Sequence, residues 1–428
     1  TIVGGLLIDG TGAQPVEDSI VILRDSKIES VGPRREFSIP DGSNLIDAEG
    51  KTVMPGLIDA HVHFNGSRSH SFSERILPTP GLRLLRAAQD ASDALNAGFT
   101  TMRCMHGAQA LDLKKGIDEG TIKGPRIKAA GHALSQTYGH GDPHYFDIEY
   151  AKMLEPTIAD GVDECIKAAR WTLRKGSDFL KVSVSGGVIS QKDPPKATQY
   201  TIEELKAISQ EAKNALTYCA AHAHGAQGIL NALEADFKTI EHGTFADDEC
   251  REQMLKKDAI LLPTLSISHQ IITYGADYGV VPWAIRKGKE AQKESKGNYK
   301  KAYDAGIKIA MGTDFSTAPL LKIGNNAMEL KLMKKIISMD PMDVLVSATK
   351  NAAEAIYIDS ETGTLQPDRY ADIIAVRGDP LTNISKKKKK ENILTVMKEG
   401  SIAVDRRPGK EKYVIHDQNY SWKRIMKN

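Results

Sequence analysis

The chain has 428 residues, 41% hydrophobic and 26% charged, with 57 Lys and Arg against 55 Asp and Glu and a net charge of +2. This is a globular balance, sized for a barrel plus a smaller domain. It excludes the strong surface field of a nucleic-acid binder, and no apolar run reaches the ~18 residues of a transmembrane helix.

Residues 1–55 form a β-rich segment. Thr1 to Ile8 is apolar and ends at the turn pair Asp9-Gly10. Ser19 to Leu23 is a second apolar run. Lys27 to Val31 alternates polar and apolar residues, as a half-buried strand does. Asn44 to Asp47 and Thr52-Val53 complete a set of short strands separated by turns.

From residue 56 the pattern becomes strand, then helix, repeated. Strands are expected at Leu57–His63, Thr100–Met105, Arg126–Ala130, Phe179–Val184, Tyr218–Ala223, Thr239–Glu241, Ile260–Leu265 and Ile307–Gly312. Helices are expected at Leu82–Ala97, stopped by Gly98, and at Val162–Lys175, stopped by Gly176. Thr201–Ala215 opens with the capping box Thr201-x-x-Glu204. Gly228–Ala235, Asp248–Lys257 and a long Trp283–Ala305 follow. Eight strands alternating with helices predict an α/β fold, a (β/α)8 TIM barrel. Two more helices, 327–337 and 341–355, precede a second β-rich stretch with strands at 372–376, 393–397 and 401–404. Both ends are expected to build one small β-sandwich domain, 1–55 together with 356–428, beside a barrel spanning 56–355. Lys386–Lys390, a run of five lysines, reads as a solvated loop rather than a basic patch.

Cys104, Cys165, Cys219 and Cys250 show no C-x-x-C spacing and read as buried or semi-buried thiols. That suits a reducing compartment, and the cytoplasm is the expected location. No signal peptide is visible; the chain starts at Thr1, a start that a trimmed leader would also leave.

The chemistry-bearing residues fall at strand ends, where this barrel type keeps its active sites. His61 and His63 are two apart, so on a strand both imidazoles face one way and form half of a metal site. The competing reading is one core and one surface histidine. Lys181 lies in the fourth strand, His222 and His224 end the fifth, His242 the sixth and Asp314 the eighth. Lysine and aspartate are almost never fully buried unless paired, so core packing explains this set poorly.

The set resembles the amidohydrolase superfamily over nearly the whole chain. The 133–142 segment Ala-Leu-Ser-Gln-Thr-Tyr-Gly-His-Gly-Asp, Ser185-Gly186-Gly187-Val188 and Ala221-His222-Ala223-His224-Gly225 resemble one branch of it. That branch contains Xaa-Pro dipeptidases (prolidases), related carboxypeptidases and ochratoxinase-like amidases. The resemblance implies a binuclear hydrolase of amide bonds in dipeptides or N-acyl amino acids. His61, His63 and Asp314 would hold one divalent cation, and His222 and His242 the other. Lys181, carboxylated to N6-carboxylysine, would lie between them. Zinc suits the donors, and manganese or cobalt also fits. A metal-bridging hydroxide would attack the carbonyl while Asp314 moves the proton and His140 polarises the oxygen.

His224 is expected beside the substrate, with His222 rather than His224 as the ligand. His140 is weighed as a substrate contact against a solvated loop histidine. Tyr138 and Tyr218 are candidate substrate hydrogen-bond donors. His106 has no assigned role, and His70, His132, His144, His269 and His416 read as structural or exposed. The 313–326 loop, with Lys322, is a candidate for setting substrate fit. The expected partners are a small-molecule substrate and further copies of the chain in a homo-oligomer, with no nucleic acid and no membrane. Two rival readings remain. One is an imidazolonepropionase-like cyclic amide hydrolase or a deaminase of the same superfamily; related deaminases usually lack the strand-four lysine. The other is a catalytically silent binding barrel, which the complete ligand set opposes.

Overall fold

The computed structural model describes residues 1–384 and 390–408. Residues 386–389 of the lysine run and His416 lie outside them. The chain opens with β1 (Ile2–Val3), β2 (Leu6–Leu7), β3 (Ser19–Arg24), β4 (Lys27–Pro33), β5 (Ile46–Asp47) and β6 (Lys51–Pro55). Gly4, at φ 82°, lets the chain cross from one sheet to the next between β1 and β2.

The second β-rich stretch supplies the partners. One sheet has the order β4-β3-β1-β5. The other adds β14 (Ile373–Arg377), β15 (Ile393–Lys398) and β16 (Ser401–Asp405) in the order β16-β15-β14-β6-β2. β14 runs antiparallel to β6 with Ile373 opposite Pro55, so both stretches share a sheet. Ile2, Val21 and Ile28 of the first sheet and Leu7, Val53 and Met397 of the second belong to one apolar cluster.

Between these stretches lie two parallel sheets. One holds β7 (Leu57–Val62), β8 (Phe99–Cys104) and β9 (Arg126–Ala129). The other holds β10 (Leu180–Ser183), β11 (Cys219–Ala223), β12 (Thr239–His242) and β13 (Ile260–Leu262). Every residue of β7, β8, β10, β11, β12 and β13 is buried, as parallel strands covered on both faces require. Ser183 pairs with His222 and Ala223 with His242, so the polar ends of neighbouring strands reach the same rim. Leu134 N–H donates to Lys181 O at 2.8 Å and Ser183 N–H to Leu134 O at 3.0 Å, tying the segment after β9 to β10.

The expected helices are present at 80–96, 162–174, 202–214, 226–234 and 248–256. Thr201 and Glu204 make both contacts of the capping box. Four expectations are corrected. The strand expected at 260–265 stops at Leu262, because Pro263 has no N–H for the ladder and Thr264 turns to φ 48°. A helix, Leu265–Tyr274, starts there, and the buried Glu329 carboxylate accepts from Leu265 N–H at 2.8 Å and Ser266 N–H at 2.7 Å. The 283–305 helix is two helices, Pro282–Glu294 and Asn298–Asp304, divided at Gly297 with φ 87°. The 341–355 helix is likewise two, Pro341–Ser347 and Lys350–Ala355.

The fourth correction concerns the eighth strand. Among the described residues, 307–312 make no regular ladder, only an isolated bridge at Leu261–Ile309, with another just beyond at Val62–Phe315. The segment still bonds on both sides: Ala310 N–H to Leu261 O at 3.0 Å, Ala60 N–H to Met311 O at 2.9 Å, and Asp314 N–H to His61 O at 2.7 Å. A Cβ on Gly312 would sit 2.7 Å from the His61 Cβ, so glycine permits this close passage beside the site. No helix of the described residues is long and apolar enough to cross a membrane.

Candidate active site

His61 lies next to the last residue of β7, and the β pleat brings His63 to the same face, with ring centroids 5.5 Å apart. Asp314, with φ 59°, turns its carboxylate between them. Its Oδ1 lies 3.4 Å from His61 Nε2 and 2.9 Å from His63 Nε2. Burial would raise the Asp314 pKa, but His61 and His63 outweigh it and hold the carboxyl well below its usual range. Beneath, Asp59 accepts from Thr313 Oγ1 and Asn326 Nδ2, both at 2.7 Å, and from His61 N–H at 3.1 Å. One buried carboxylate thus joins β7 to the segment that carries Asp314. Burial lifts the Asp59 pKa to about 6 against these bonds.

The other half comes from β10, β11 and β12. His222 Nδ1 lies 2.9 Å from His242 Nε2. His224 stacks on His242 with centroids 4.6 Å apart and planes 8° apart. Thr264 holds His242 Nδ1 at 2.8 Å, and Thr244 holds His224 Nδ1 at 2.7 Å. Burial pushes the His222 and His242 pKa values well down, and that of His224 to about 3. The rings are therefore neutral and carry the lone pairs a cation needs. Two groups bring ligand atoms within 4.8 Å of one another: His222, His224 and His242, and His61, His242 and Asp314.

Lys181 projects among these rings. It is 5% exposed, and its Nζ has no hydrogen-bond partner. Burial, with help from Arg103 and against the pull of Glu241, lowers its pKa to about 8. A partnerless buried amine costs stability, whereas a carbamate formed on it would present oxygens to the imidazoles. The donor set and this orphan atom fit a pair of divalent cations.

Two residues of the floor lie outside the pattern of strand-end ligands. Glu241 and Arg103 are both fully buried. Glu241 accepts from His61 Nδ1 at 2.6 Å, Arg103 Nη2 at 2.7 Å and Thr239 Oγ1 at 2.5 Å. Burial opposes its ionisation, but Arg103, Lys181 and His61 hold its pKa at about 2. Alternation along β12 would send His242 away from the side that Glu241 faces. His242, at φ 72°, leaves the strand conformation and turns inward as well. The available signal was Arg103 itself, a charge inside an apolar strand, which demands a buried partner.

His140 stacks on His222 with centroids 4.0 Å and planes 7° apart. Its Nδ1 lies 2.8 Å from Ser190 Oγ. A Cβ on Gly187 would fall 2.0 Å from that nitrogen, so the Gly186-Gly187 turn makes room for the ring. Lys287 pins this turn by donating to the carbonyls of Gly187, Ser190 and Asp193 at 3.0, 2.8 and 2.6 Å.

A cavity of about 300 Å³ opens over the cluster; His61, His63, His140, Lys181, His224 and Asp314 are among its lining residues. Three expectations are corrected here. Tyr218 precedes β11, at the opposite end from His222, and is stacked between Phe179 and Tyr357 away from the cavity. Tyr138 lies outside it as well, with its hydroxyl on Lys192 O at 3.2 Å and its ring on His144. In the 313–326 loop, Lys322 points to Asp93 at 3.7 Å, while Ser316, Ala318 and Leu321 line the cavity. His106, just past the end of β8, lines it, and so does His70, which had read as structural or exposed. All four cysteines are buried and free.

Residues 52–403 match the model of the amidohydrolase family. The chain is 32% identical to the ochratoxinase of Aspergillus niger over 425 residues, covering 94% of this chain and 86% of that protein. The crystal structure of A. niger ochratoxinase superposes with a TM-score of 0.88 at 31% identity, covering 95% of each chain. A Xaa-Pro dipeptidase with methionine bound in its active site gives a TM-score of 0.84 at 31% identity, over 94% of this chain and 98% of that one.

Proposed function

The chain belongs to the amidohydrolase family and is a hydrolase of amide bonds, and from that premise we propose that it is a binuclear metal enzyme cleaving dipeptides or N-acyl amino acids. The observation that carries this is the Lys181 amine, buried without a partner amid imidazoles and the Asp314 carboxylate. We read Lys181 as carboxylated. His61, His63 and Asp314 would hold one cation, His222 and His242 the other, with zinc as the first candidate. Bound there, the cations supply Lewis acidity and make a water molecule a nucleophile near neutral pH.

The chain's own groups do the rest. Asp314, kept ionised by His61 and His63, accepts the proton of the attacking water and returns it to the leaving nitrogen. Glu241 fixes the His61 tautomer by taking its Nδ1–H, leaving Nε2 for the cation. Thr264 orients His242 in the same way. His140, held by Ser190 and stacked on His222, lines the cavity where a carbonyl oxygen would lie. His224 contacts substrate rather than metal in this reading. The central sheets and the 307–315 segment are taken as one closed (β/α)8 barrel over residues 56–355. Residues 1–55 and 356–428 are taken as a small β-sandwich domain, and the whole as a homo-oligomer.

The test is turnover by zinc- or manganese-loaded protein of a library of dipeptides and N-acyl amino acids, beside cyclic imides and aminated heterocycles. Hydrolysis confined to the linear amides is expected. Activity confined to the cyclic or aminated compounds would overturn the proposal.

A further inference from the structure

His242 is shared by both halves of the cluster. Among the described residues it belongs to both groups of ligand atoms, the one with His222 and His224 and the one with His61 and Asp314. Its Nε2 lies 2.9 Å from His222 Nδ1, and its other nitrogen, Nδ1, lies 2.8 Å from Thr264 Oγ1. The aim of the ring therefore depends on where Thr264 stands. Thr264 is 1% exposed and sits at φ 48°, in the left-handed region, between Pro263 and the helix Leu265–Tyr274. A β-branched residue in that conformation is strained by about 1–2 kcal/mol, so its surroundings must hold it there.

Glu329 supplies the hold. Its Oε1 accepts from Leu265 N–H at 2.8 Å and its Oε2 from Ser266 N–H at 2.7 Å, the two backbone groups that directly follow the turn. These are donors of the first helical turn, and the Thr264 side chain does not cap them. Glu329 is 0% exposed and is not among the residues lining the cavity. Burial drives its pKa up to about 8 against the bonds from Ser266 and Leu265. An acidic side chain is costly in such a place, and what it gains there is this pair of backbone bonds.

The same short stretch reaches the other half of the cluster. Glu329 N–H donates to Asn326 O at 3.0 Å. Asn326 Nδ2 donates to Asp59 Oδ2 at 2.7 Å and to Thr313 Oγ1 at 3.2 Å. Asp59 accepts from His61 N–H at 3.1 Å, and Thr313 precedes Asp314. Residues 326–329 thus bond to the supports of His61 and Asp314 at one end and to the support of His242 at the other.

Resting on the reading of a two-cation centre, we propose that Glu329 is a positioning residue for His242, and that residues 326–329 are a brace fixing the two halves of the site relative to each other. Glu329 acts through Thr264. It pins the turn, the Thr264 hydroxyl then meets His242 Nδ1, and Nε2 stays turned into the cluster.

The experiment titrates zinc into chelator-stripped, full-length protein against a chromophoric chelator, which gives two successive affinities in wild type. Glu329→Leu should weaken one zinc ion by about 10- to 100-fold and leave the other nearly unchanged. Glu329→Gln, which keeps one acceptor oxygen, should show a smaller loss at the same ion, at least about threefold. Thr264→Val, nearly isosteric, removes only the hydroxyl and should reproduce the selective loss. The double variant Thr264→Val with Glu329→Gln should lose no more than Thr264→Val alone, because both changes act on one ring. In cobalt-loaded protein the visible absorption of one ion should shift in each single variant, a change that a general loss of stability does not produce. Unchanged zinc affinities, equal weakening of both ions, or losses that add in the double variant would overturn the brace. If Glu329→Leu fails to fold, the Glu329→Gln and Thr264→Val series decides by the same outcomes. A wild type that holds fewer than two zinc ions would fail the two-cation reading itself, and the brace with it.

Discussion

Replacing Glu241 with glutamine takes one charge from the floor of the site and leaves one acceptor oxygen where two served Arg103, Thr239 and His61. Arg103, 0% exposed, would keep a guanidinium with no counter-charge. His61 Nδ1 would lose the acceptor that fixes its tautomer. Two independent routes give the size of the effect. Breaking a buried ion pair by removing one partner costs about 3–5 kcal/mol. A carboxyl pKa held at about 2 instead of 4.5 corresponds to about 3 kcal/mol of folding stability. Glu241→Gln should therefore lower the unfolding free energy by about 3–4 kcal/mol at neutral pH. Denaturant unfolding of chelator-stripped protein measures it, so that bound cations do not mask the difference.

The pH dependence follows with a definite sign. Between pH 4.5 and about 2 the unfolded chain binds the Glu241 proton and the folded chain does not. Wild-type stability from this group is complete above 4.5 and is lost as pH falls towards 2, whereas Glu241→Gln lacks that slope. The gap between the two proteins should shrink on acidification. Adding Arg103→Met removes the second charge and should recover more than half of the loss, since deleting both partners of a buried pair is often near neutral. Zinc affinity should stay depressed by about 10- to 100-fold in both variants, because His61 is unheld in each. A Glu241→Gln protein as stable as wild type, or a double variant that regains zinc affinity, would refute this account of the floor.

Asp314→Asn should cut kcat by about 10²- to 10⁴-fold, the usual range for loss of a positioned proton carrier; steady-state kinetics on the preferred linear amide check it, and a fully active variant would remove Asp314 from that role. Gly187→Ala drives a methyl group into His140, 2.0 Å from its Nδ1; activity should fall by at least about tenfold, with bound metal unchanged by elemental analysis. Dialysis against a chelator should abolish turnover and lower the unfolding temperature, and zinc or manganese should restore both, as calorimetry with parallel assays would show. Lys181→Ala should bind less than half the wild-type metal, and a short carboxylic acid such as propionate should restore part of the activity by occupying the vacated space; full metal content without added acid would contradict the carbamate reading.

How much of this was legible beforehand depended on whether the cause was local. The pleat period put His61 and His63 on one face, and the Thr201–Glu204 pair marked a helix start, because both signals lie within four residues. Gly98, with φ 84°, ends its helix for an equally local reason. Long-range pairing was less legible. The eighth strand was expected from its apolar run, yet Gly312 must pass against His61 and Asp314 must turn to φ 59°, so 307–312 bridges its neighbours without a ladder.

Alternation alone does not account for the floor of the site. A strict strand cannot aim both Glu241 and His242 at the same centre, and only the left-handed backbone of His242 allows it. Holding a non-glycine residue there costs about 1–2 kcal/mol. That cost is set against an imidazole turned into the cluster on one side and the carboxylate that aligns His61 on the other. Tyr218 was misplaced for a different reason: a polar ring near a functional strand looks like a substrate donor, but its position at the far end of β11 sends it into a stack between Phe179 and Tyr357. Direction along the strand therefore discriminates better than proximity in sequence. Polar residues at the C-terminal ends of β7, β11 and β12 reach the cavity, and the one at an N-terminal end packs away from it.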